Sequence, residues 1–194
     1  LAMDRDPQAI ASAGAMLKAY PQMEIVHDEF ANMRAHVEQR GWMGCVDGIL
    51  LDIGTSSPQI DTPERGFSFM RDGPLDMRMN PSKGVSAAQW LAGASWEEIV
   101  EVLTVYGEEK YAKRIARAIE RDREVSAIET TSDLVDIVQK AVPAKDQGKN
   151  KATRTFQAIR IHINGELDQL KHALSDSFDM SVSYTHLRAH ETLN

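Results

Sequence analysis

The sequence predicts an α/β fold, an open parallel sheet whose chain is interrupted by a stretch of helices. Over residues 1–52, short apolar runs alternate with segments of helical period, in the order strand, helix, strand, helix, strand. Each run ends beside an acid: Asp4, Asp28 and Asp52. From Ser86 to Val142 the apolar period is helical throughout.

Leu1 to Met3 reads as the end of a strand closed by Asp4-Arg5-Asp6-Pro7, and Pro7 suits the first turn of a helix. Ala9, Ile10, Ala13, Met16 and Leu17 then recur at helical spacing. Met23 to Val26 is the second strand, and a helix through Met33 and Val37 ends near Gly41. Val46 to Asp52 is the third strand, apolar enough to be covered on both faces. Gly54 to Asn80 is rich in Gly, Pro, Ser, Asp and Arg and predicts a long ordered loop, the kind that carries function. Ser95-Trp96-Glu97-Glu98 opens a helix with a capping signal, and Tyr111, Ile115, Ala118 and Ile119 give another its apolar face. Pro143 to Asn150 is a polar break. One last helix follows, with Phe156, Ile159, Ile163, Leu167, Leu170 and Leu174 in a continuous stripe. Ser181 to Asn194 has no period and fits no element.

The chain of 194 residues is 42% hydrophobic and 26% charged, a globular composition. No apolar run reaches membrane-spanning length. The lone Cys45 excludes an internal disulfide and a cysteine-cluster metal site. The histidines lack metal-ligand spacing, so no metal is expected. A net charge of −7 argues against coating nucleic acid by bulk attraction. Positive charge is nevertheless concentrated. Residues 110–123 hold six basic against two acidic groups, with Lys110, Lys113, Arg114, Arg117 and Arg121 spaced for one helical face. Residues 145–160 hold five against one. Each stretch reads equally as a phosphate contact or a solvated surface.

In open α/β sheets ligands sit at the carboxyl ends of the strands. Asp4 is placed there to accept hydrogen bonds from the ribose hydroxyls of an adenosyl group, and Phe30 to lie against its adenine; alternatively, Asp4 caps a helix and Phe30 is core. Asp52, the Ser57 hydroxyl and a carbonyl near Pro58 are acceptors able to hold the hydrogens of an exocyclic base amine. A strand followed by an ordinary Ser/Pro turn accounts for the same residues. Neither a nucleophile elbow nor a phosphate-binding P-loop is present.

Four runs then resemble one family. They are Ala2-Met3-Asp4-Arg5-Asp6-Pro7-Gln8-Ala9-Ile10; Leu50-Leu51-Asp52-Ile53-Gly54-Thr55-Ser56-Ser57-Pro58-Gln59; Glu64 through Met79; and Ala152-Thr153-Arg154-Thr155-Phe156-Gln157-Ala158-Ile159-Arg160-Ile161. Together they resemble the MraW (RsmH) family, bacterial methyltransferases acting on a cytosine N4 amino group in small-subunit (16S) ribosomal RNA. The resemblance implies a class I S-adenosylmethionine methyltransferase sheet, Rossmann-like, with an inserted helical domain. It implies S-adenosyl-L-methionine as cofactor, the small ribosomal subunit or its RNA as partner, and a cytoplasmic location. Cofactor contacts carry over to Asp4, Phe30, Asp52 and Gln59, and catalytic roles are expected at Asp52 and Ser57. Arg65, Arg71 and Arg78 in the loop, with Lys113 and Arg117, are the expected RNA contacts, while Phe67, Phe69 and Met70 either support a base or anchor the loop. The implied domains are 1–80 and 151–180 for the methyltransferase and 81–150 for the insertion. Residues 181–194 depart from the family and are expected to be foreign to it. The chain opens without an initiator methionine or the family's Gly-Gly-His loop, so it is expected to be a fragment that does not itself methylate RNA. The alternative is a non-enzymatic RNA-binding fragment.

Overall fold

The computed structural model of the chain describes residues 1–143 and 151–191, the last nine of these as backbone alone. Its elements in order are β1 (Ala2–Asp4), α1 (Pro7–Ala19), β2 (Ile25–His27), α2 (Met33–Gln39), β3 (Val46–Ile53), α3 (Ser57–Asp61), α4 (Ala87–Gly93), α5 (Trp96–Val105), α6 (Ala112–Arg123), α7 (Thr131–Ala141), α8 (Thr153–Asn164), α9 (Glu166–Met180) and β4 (Ser181–Glu191). Two compact units result. The first is Leu1–Thr55 with Glu166–Asn194, the second Ser56–Gly165.

The first unit holds all the described strands. β1 and β2 pair in parallel, Ala2 opposite Ile25 and Asp4 opposite His27. Between them α1 starts where the proline predicted. The Asp6 carboxylate caps it, accepting the Gln8 amide hydrogen at 2.9 Å. β3 pairs in parallel with β4, so the described strands form two separate two-stranded ladders and not one sheet. β1 and β2 are only three residues each, and β3 makes its ladder bonds to β4 along most of its length.

Two expectations are corrected in this unit. Ser181 onward does form an element. Its extended backbone lies along β3 from Val46 opposite Ser181 to Ile53 opposite Glu191, with a register shift between Val46 and Gly48. Main-chain groups alone make such a ladder, so a segment without side-chain period can still add to an open edge. The side chains of β3 are also not covered on both faces. Leu51 is buried with Ile49 and Ile53 beside it, on a core of Met33, Val37, Ala173 and Met180, while Leu50 is 68% exposed. One face packs on α2 and α9; the other is open.

The second unit is helical. α4, α5 and α7 begin at Ser86, Ser95 and Thr130, each in a reciprocal capping box with Gln89, Glu98 and Asp133. Ile99, Leu103, Ile115, Ile119, Leu134, Val138 and Ile159 are fully buried between α5, α6, α7 and α8. The loop after α3 belongs to this unit. Leu75 and Met77 sit in the same core, the Leu75 amide donates to the Glu129 carbonyl, and the Thr131 amide donates to the Gly73 carbonyl. The units thus divide at Thr55/Ser56 and Gly165/Glu166, whereas the expected insertion ran 81–150; residues 56–80 and 151–165 pack with the helices. The expected polar break, with Lys145, Asp146 and Lys149, falls at residues 144–150, outside the described residues.

The single last helix is two. Gly165 takes the left-handed conformation, φ 60°, and ends α8 before α9 begins. The apolar stripe runs across this break, which is why its period concealed it.

Candidate functional site

In the first unit the three acids stand where the ligand end of a parallel ladder is expected. Asp4 is the last residue of β1, Asp28 directly follows β2, and Asp52 is next to last in β3. The Asp4 carboxylate accepts the Asp6 amide hydrogen at 2.7 Å. Its pKa lies above the ordinary aspartate value. Desolvation is the largest cause and the Asp6 charge adds to it, against hydrogen bonds from the Asp6 and Arg5 amides. Asp4 is nevertheless exposed at the end of β1.

Asp28 is the opposite case. Burial alone would raise its pKa, but hydrogen bonds from His36 (2.9 Å), Asn32 (2.9 Å) and the Glu29 amide outweigh burial and hold it below the ordinary value. Its bonding capacity is used locally. Arg5 and Glu29 bridge the first two strand ends at 3.0 Å, and Gln169 of α9 donates to the other Glu29 oxygen at 3.1 Å. Phe30 opens a one-turn 3-10 helix, half-buried against the core of this unit. Asp52 lies on the open side of β3, with Gly54 just beyond it at φ 126°, a conformation glycine favours.

In the second unit Ser57 is exposed in the first turn of α3, and Gln59 is buried, its side-chain oxygen accepting the Ser56 amide hydrogen at 3.0 Å. Gln59 thus has a helix-capping task of its own.

The loop arginines separate sharply. Arg65 is buried and donates to the Arg78 and Met79 carbonyls at 3.2 and 2.9 Å, with its guanidinium over the Phe67 ring. Arg78 grips Asp76 through two bonds of 2.8 and 2.6 Å. Arg71 is exposed, with one long contact of 3.5 Å to the Asp61 carbonyl. Only Arg71 of the three presents an uncommitted charge. Phe69 meets Phe156 edge-on at 5.2 Å, while Met70 is 77% exposed at the loop tip. The aromatic pair fastens the loop to α8. Gly66 and Gly73 make that closure possible, since a Cβ on either would collide with the backbone of Pro74 or Pro63.

The two basic stretches also part company. In the later one, Lys151 is drawn to the Gln139 and Val142 carbonyls and Arg154 to the Glu108 carbonyl. On α6, Lys113 and Arg117 are exposed, and no carboxylate pairs with either among the described residues. Sequence reasoning missed Asn164, whose buried side chain holds the loop backbone. It also missed Trp96 and Lys140, which meet the α6 cations at one cavity. No spacing rule links residues that converge from three helices.

No group of three or more metal-ligating side chains occurs among the described residues, and no described helix is long and apolar enough to cross a membrane.

Parallel ladders joined by helices, with acids at their carboxyl ends, are those of an α/β protein, in which ligands sit at the carboxyl ends of the strands. A family model described as MraW methylase family matches residues 1–187. The chain belongs to that family. It is also 55% identical over 174 residues to proteins named "Ribosomal RNA small subunit methyltransferase H" from Coxiella burnetii strains RSA 331, CbuK_Q154 and RSA 493. The match covers 90% of this chain and 57% of each relative, so the chain spans somewhat over half their length.

Proposed function

We propose that this chain is the larger part of an S-adenosylmethionine-dependent methyltransferase that modifies the N4 amino group of a cytosine in small-subunit ribosomal RNA, in the bacterial cytoplasm. Family membership supports the enzyme class and, with it, a class I sheet carrying the helical unit as an insertion. The single observation that carries the cofactor reading is Asp4: an exposed carboxylate on the last residue of β1, at the end of a parallel ladder where ligands are expected. Two ribose hydroxyls are donors that such a carboxylate can accept. Phe30 and Gly54 fit the same group, the first as an apolar surface for adenine and the second as backbone without a Cβ.

Bound there, S-adenosylmethionine supplies an activated methyl sulfonium. Asp4 holds the ribose, Phe30 covers the base, and Asp52 and Gln59 complete the contacts that the family resemblance implies. Asp52 and the Ser57 hydroxyl accept the amine hydrogens of the target cytosine. That turns its nitrogen lone pair out of conjugation with the ring. Positioning carries most of the acceleration, because little acid–base help is needed against an activated leaving group. Arg71 and the α6 cations take the RNA phosphates, and Arg65 and Arg78 brace the loop that carries Arg71.

The test is methyl transfer to small-subunit ribosomal RNA by the chain extended to its relatives' length. N4-methylcytosine is the expected product, and its absence rejects the reading. Calorimetry with Asp4→Ala should show methyl-donor binding weakened by about 1.5–3 kcal/mol, the range for hydrogen bonds to a charged group. Unchanged affinity removes Asp4 from the site. A purely RNA-binding chain would bind no methyl donor at all.

A further inference from the structure

Where α4, α5 and α8 meet in the helical unit, a histidine packs against two aromatic rings. His162, in the last turn of α8, is half-buried. The Trp90 ring of α4 lies 4.6 Å from it, centroid to centroid, at an interplanar angle of 47°. The Tyr106 ring, at the end of α5, lies 6.4 Å from it and more nearly parallel, at 28°. The charged groups that face His162 are Glu98 and Glu101 of α5, both exposed, and Ala87–Gly93 of α4 brings none. Burial is the largest influence on the imidazole and disfavours its charged form, while the two carboxylates act the other way. Burial prevails, so the pKa of His162 lies below the ordinary histidine value.

The contact matters because of what α4 holds. The Ala87 and Ala88 amides, in its first turn, donate to the Asp76 and Leu75 carbonyls at 2.8 Å each. The Asp76 side chain in turn grips Arg78. The last stretch of the loop after α3 therefore hangs on the N-terminus of α4. At the other end, Arg123 of α6 donates to the Leu91 and Ala94 carbonyls at 2.7 Å each. Trp90 on His162 ties the middle of α4 to α8. α4 is only seven residues long, too short to be stable by itself, so its place depends on these ties.

One of those ties can change its charge. A neutral imidazole packs on Trp90 and Tyr106 as an aromatic ring does. Protonation places a cation in the same half-buried position. Attraction to the ring faces and to Glu98 and Glu101 favours the cation, but both carboxylates are exposed and screened. The charged ring is better solvated outside the contact.

We propose that His162 is a pH-operated latch: uncharged, it fixes α4 against α8 and keeps residues 75–79 of the loop in place, and protonated in mild acid it releases both. The folded state binds this proton less readily than the unfolded state does. The stabilisation is therefore fully present above the ordinary histidine value of about 6.5 and is lost as pH falls from there through the lower folded value. The latch lies wholly within the helical unit. It holds whether or not the chain is part of a methyltransferase.

Two measurements on the 194-residue chain test it. In an NMR titration of the histidine rings, the His162 signal, assigned by its loss in His162→Phe, should have its midpoint below about 6.5. Amide hydrogen exchange by mass spectrometry, expressed as protection over an unstructured peptide, is then compared at about pH 7.5 and 5.5. Wild-type protection of residues 75–79 and 87–91 should fall roughly three- to ten-fold between the two, one proton allowing at most about ten-fold per pH unit. α7 should keep its protection. In His162→Phe, which retains a ring and takes no charge, both segments should hold theirs. If that variant folds poorly, His162→Gln makes the same comparison and the same assignment. A His162 midpoint at or above about 6.5, undiminished wild-type protection at the lower pH, or an equal fall in the neutral variant overturns the proposal. So does an equal loss in α7, which would make His162 a core histidine whose charging opens the whole unit.

Discussion

Asp4 and Asp28 have the same side chain at neighbouring strand ends, and hydrogen bonding separates their tasks. Asp28 receives three donors that hold its pKa down, whereas Asp4 receives two backbone amides and desolvation raises its pKa. Asp28 makes a pH prediction. Its folded pKa is depressed, so its stabilisation is fully present above the ordinary value of about 3.9 and is lost as pH falls through the lower folded value. Asp28→Asn should therefore cost about 1–2 kcal/mol at neutral pH. The deficit should shrink towards zero in denaturation curves taken progressively below about pH 4. A deficit that persists undiminished at acid pH would mean that the His36 and Asn32 bonds do not depend on the charge. The arginines carry a similar lesson about what a sequence can disclose. Arg65, Arg71 and Arg78 are equivalent as letters in a loop, and all three suit phosphates. Only closure of the loop on itself commits Arg65 to carbonyls and Arg78 to Asp76, leaving Arg71 outward. The strand-end positions of Asp4 and Asp52 were legible because strand ends follow from apolar runs. Gln59 was reached through family resemblance, not spacing.

At the scale of elements, local signals were read where they are local. Ser95 with Glu98 capped a helix as its spacing indicated, and Pro7 opened another. What failed was anything decided by distant packing. The period of Ile163, Leu167 and Leu170 continues through Gly165, so the break between α8 and α9 was hidden, and Leu50 reads as core until its face is found open. Asn164, beside that break, joins the loop to α8. Its amide donates to the Met77 carbonyl at 2.8 Å and its oxygen accepts the Met79 amide hydrogen at 2.8 Å. Met77 between them adopts φ 62°, a left-handed conformation that costs energy in a residue with a Cβ. Asn164→Ala would leave a buried donor and a buried acceptor unmade and the strain unopposed. The expected loss is about 2–4 kcal/mol by urea denaturation, from the usual penalty for each stranded group. Phe69→Ala should add a loss of about 3 kcal/mol if the ring is the anchor that its contact with Phe156 indicates. A small effect from both variants would mean that the loop holds its shape without α8.

For the whole molecule, the two units differ in how much apolar surface they bury. Among the described residues, the helical unit has 23 buried hydrophobic residues in one cluster and the strand-bearing unit five. In the latter α1 buries no residue, and Leu50, Met16 and Phe178 are 68%, 48% and 81% exposed. Local stability follows buried contacts, so the strand-bearing unit should open first. Native-state hydrogen exchange measured by mass spectrometry on the 194-residue chain should find its slowest amides in α5, α6 and α7. Those of β1, β2 and α1 should exchange at least about ten-fold faster, corresponding to a gap of at least about 1.4 kcal/mol in opening free energy. The same asymmetry bears on activity. Asp4, Phe30 and Asp52 all belong to the weaker unit, whereas the α6 cations belong to the stronger one. The chain by itself should therefore transfer no methyl group to ribosomal RNA, and adding a saturating methyl donor should slow exchange in β1 little or not at all. Uniform protection across both units, or turnover of a ribosomal substrate by these 194 residues, would show that the strand-bearing unit is already a complete and stable cofactor site.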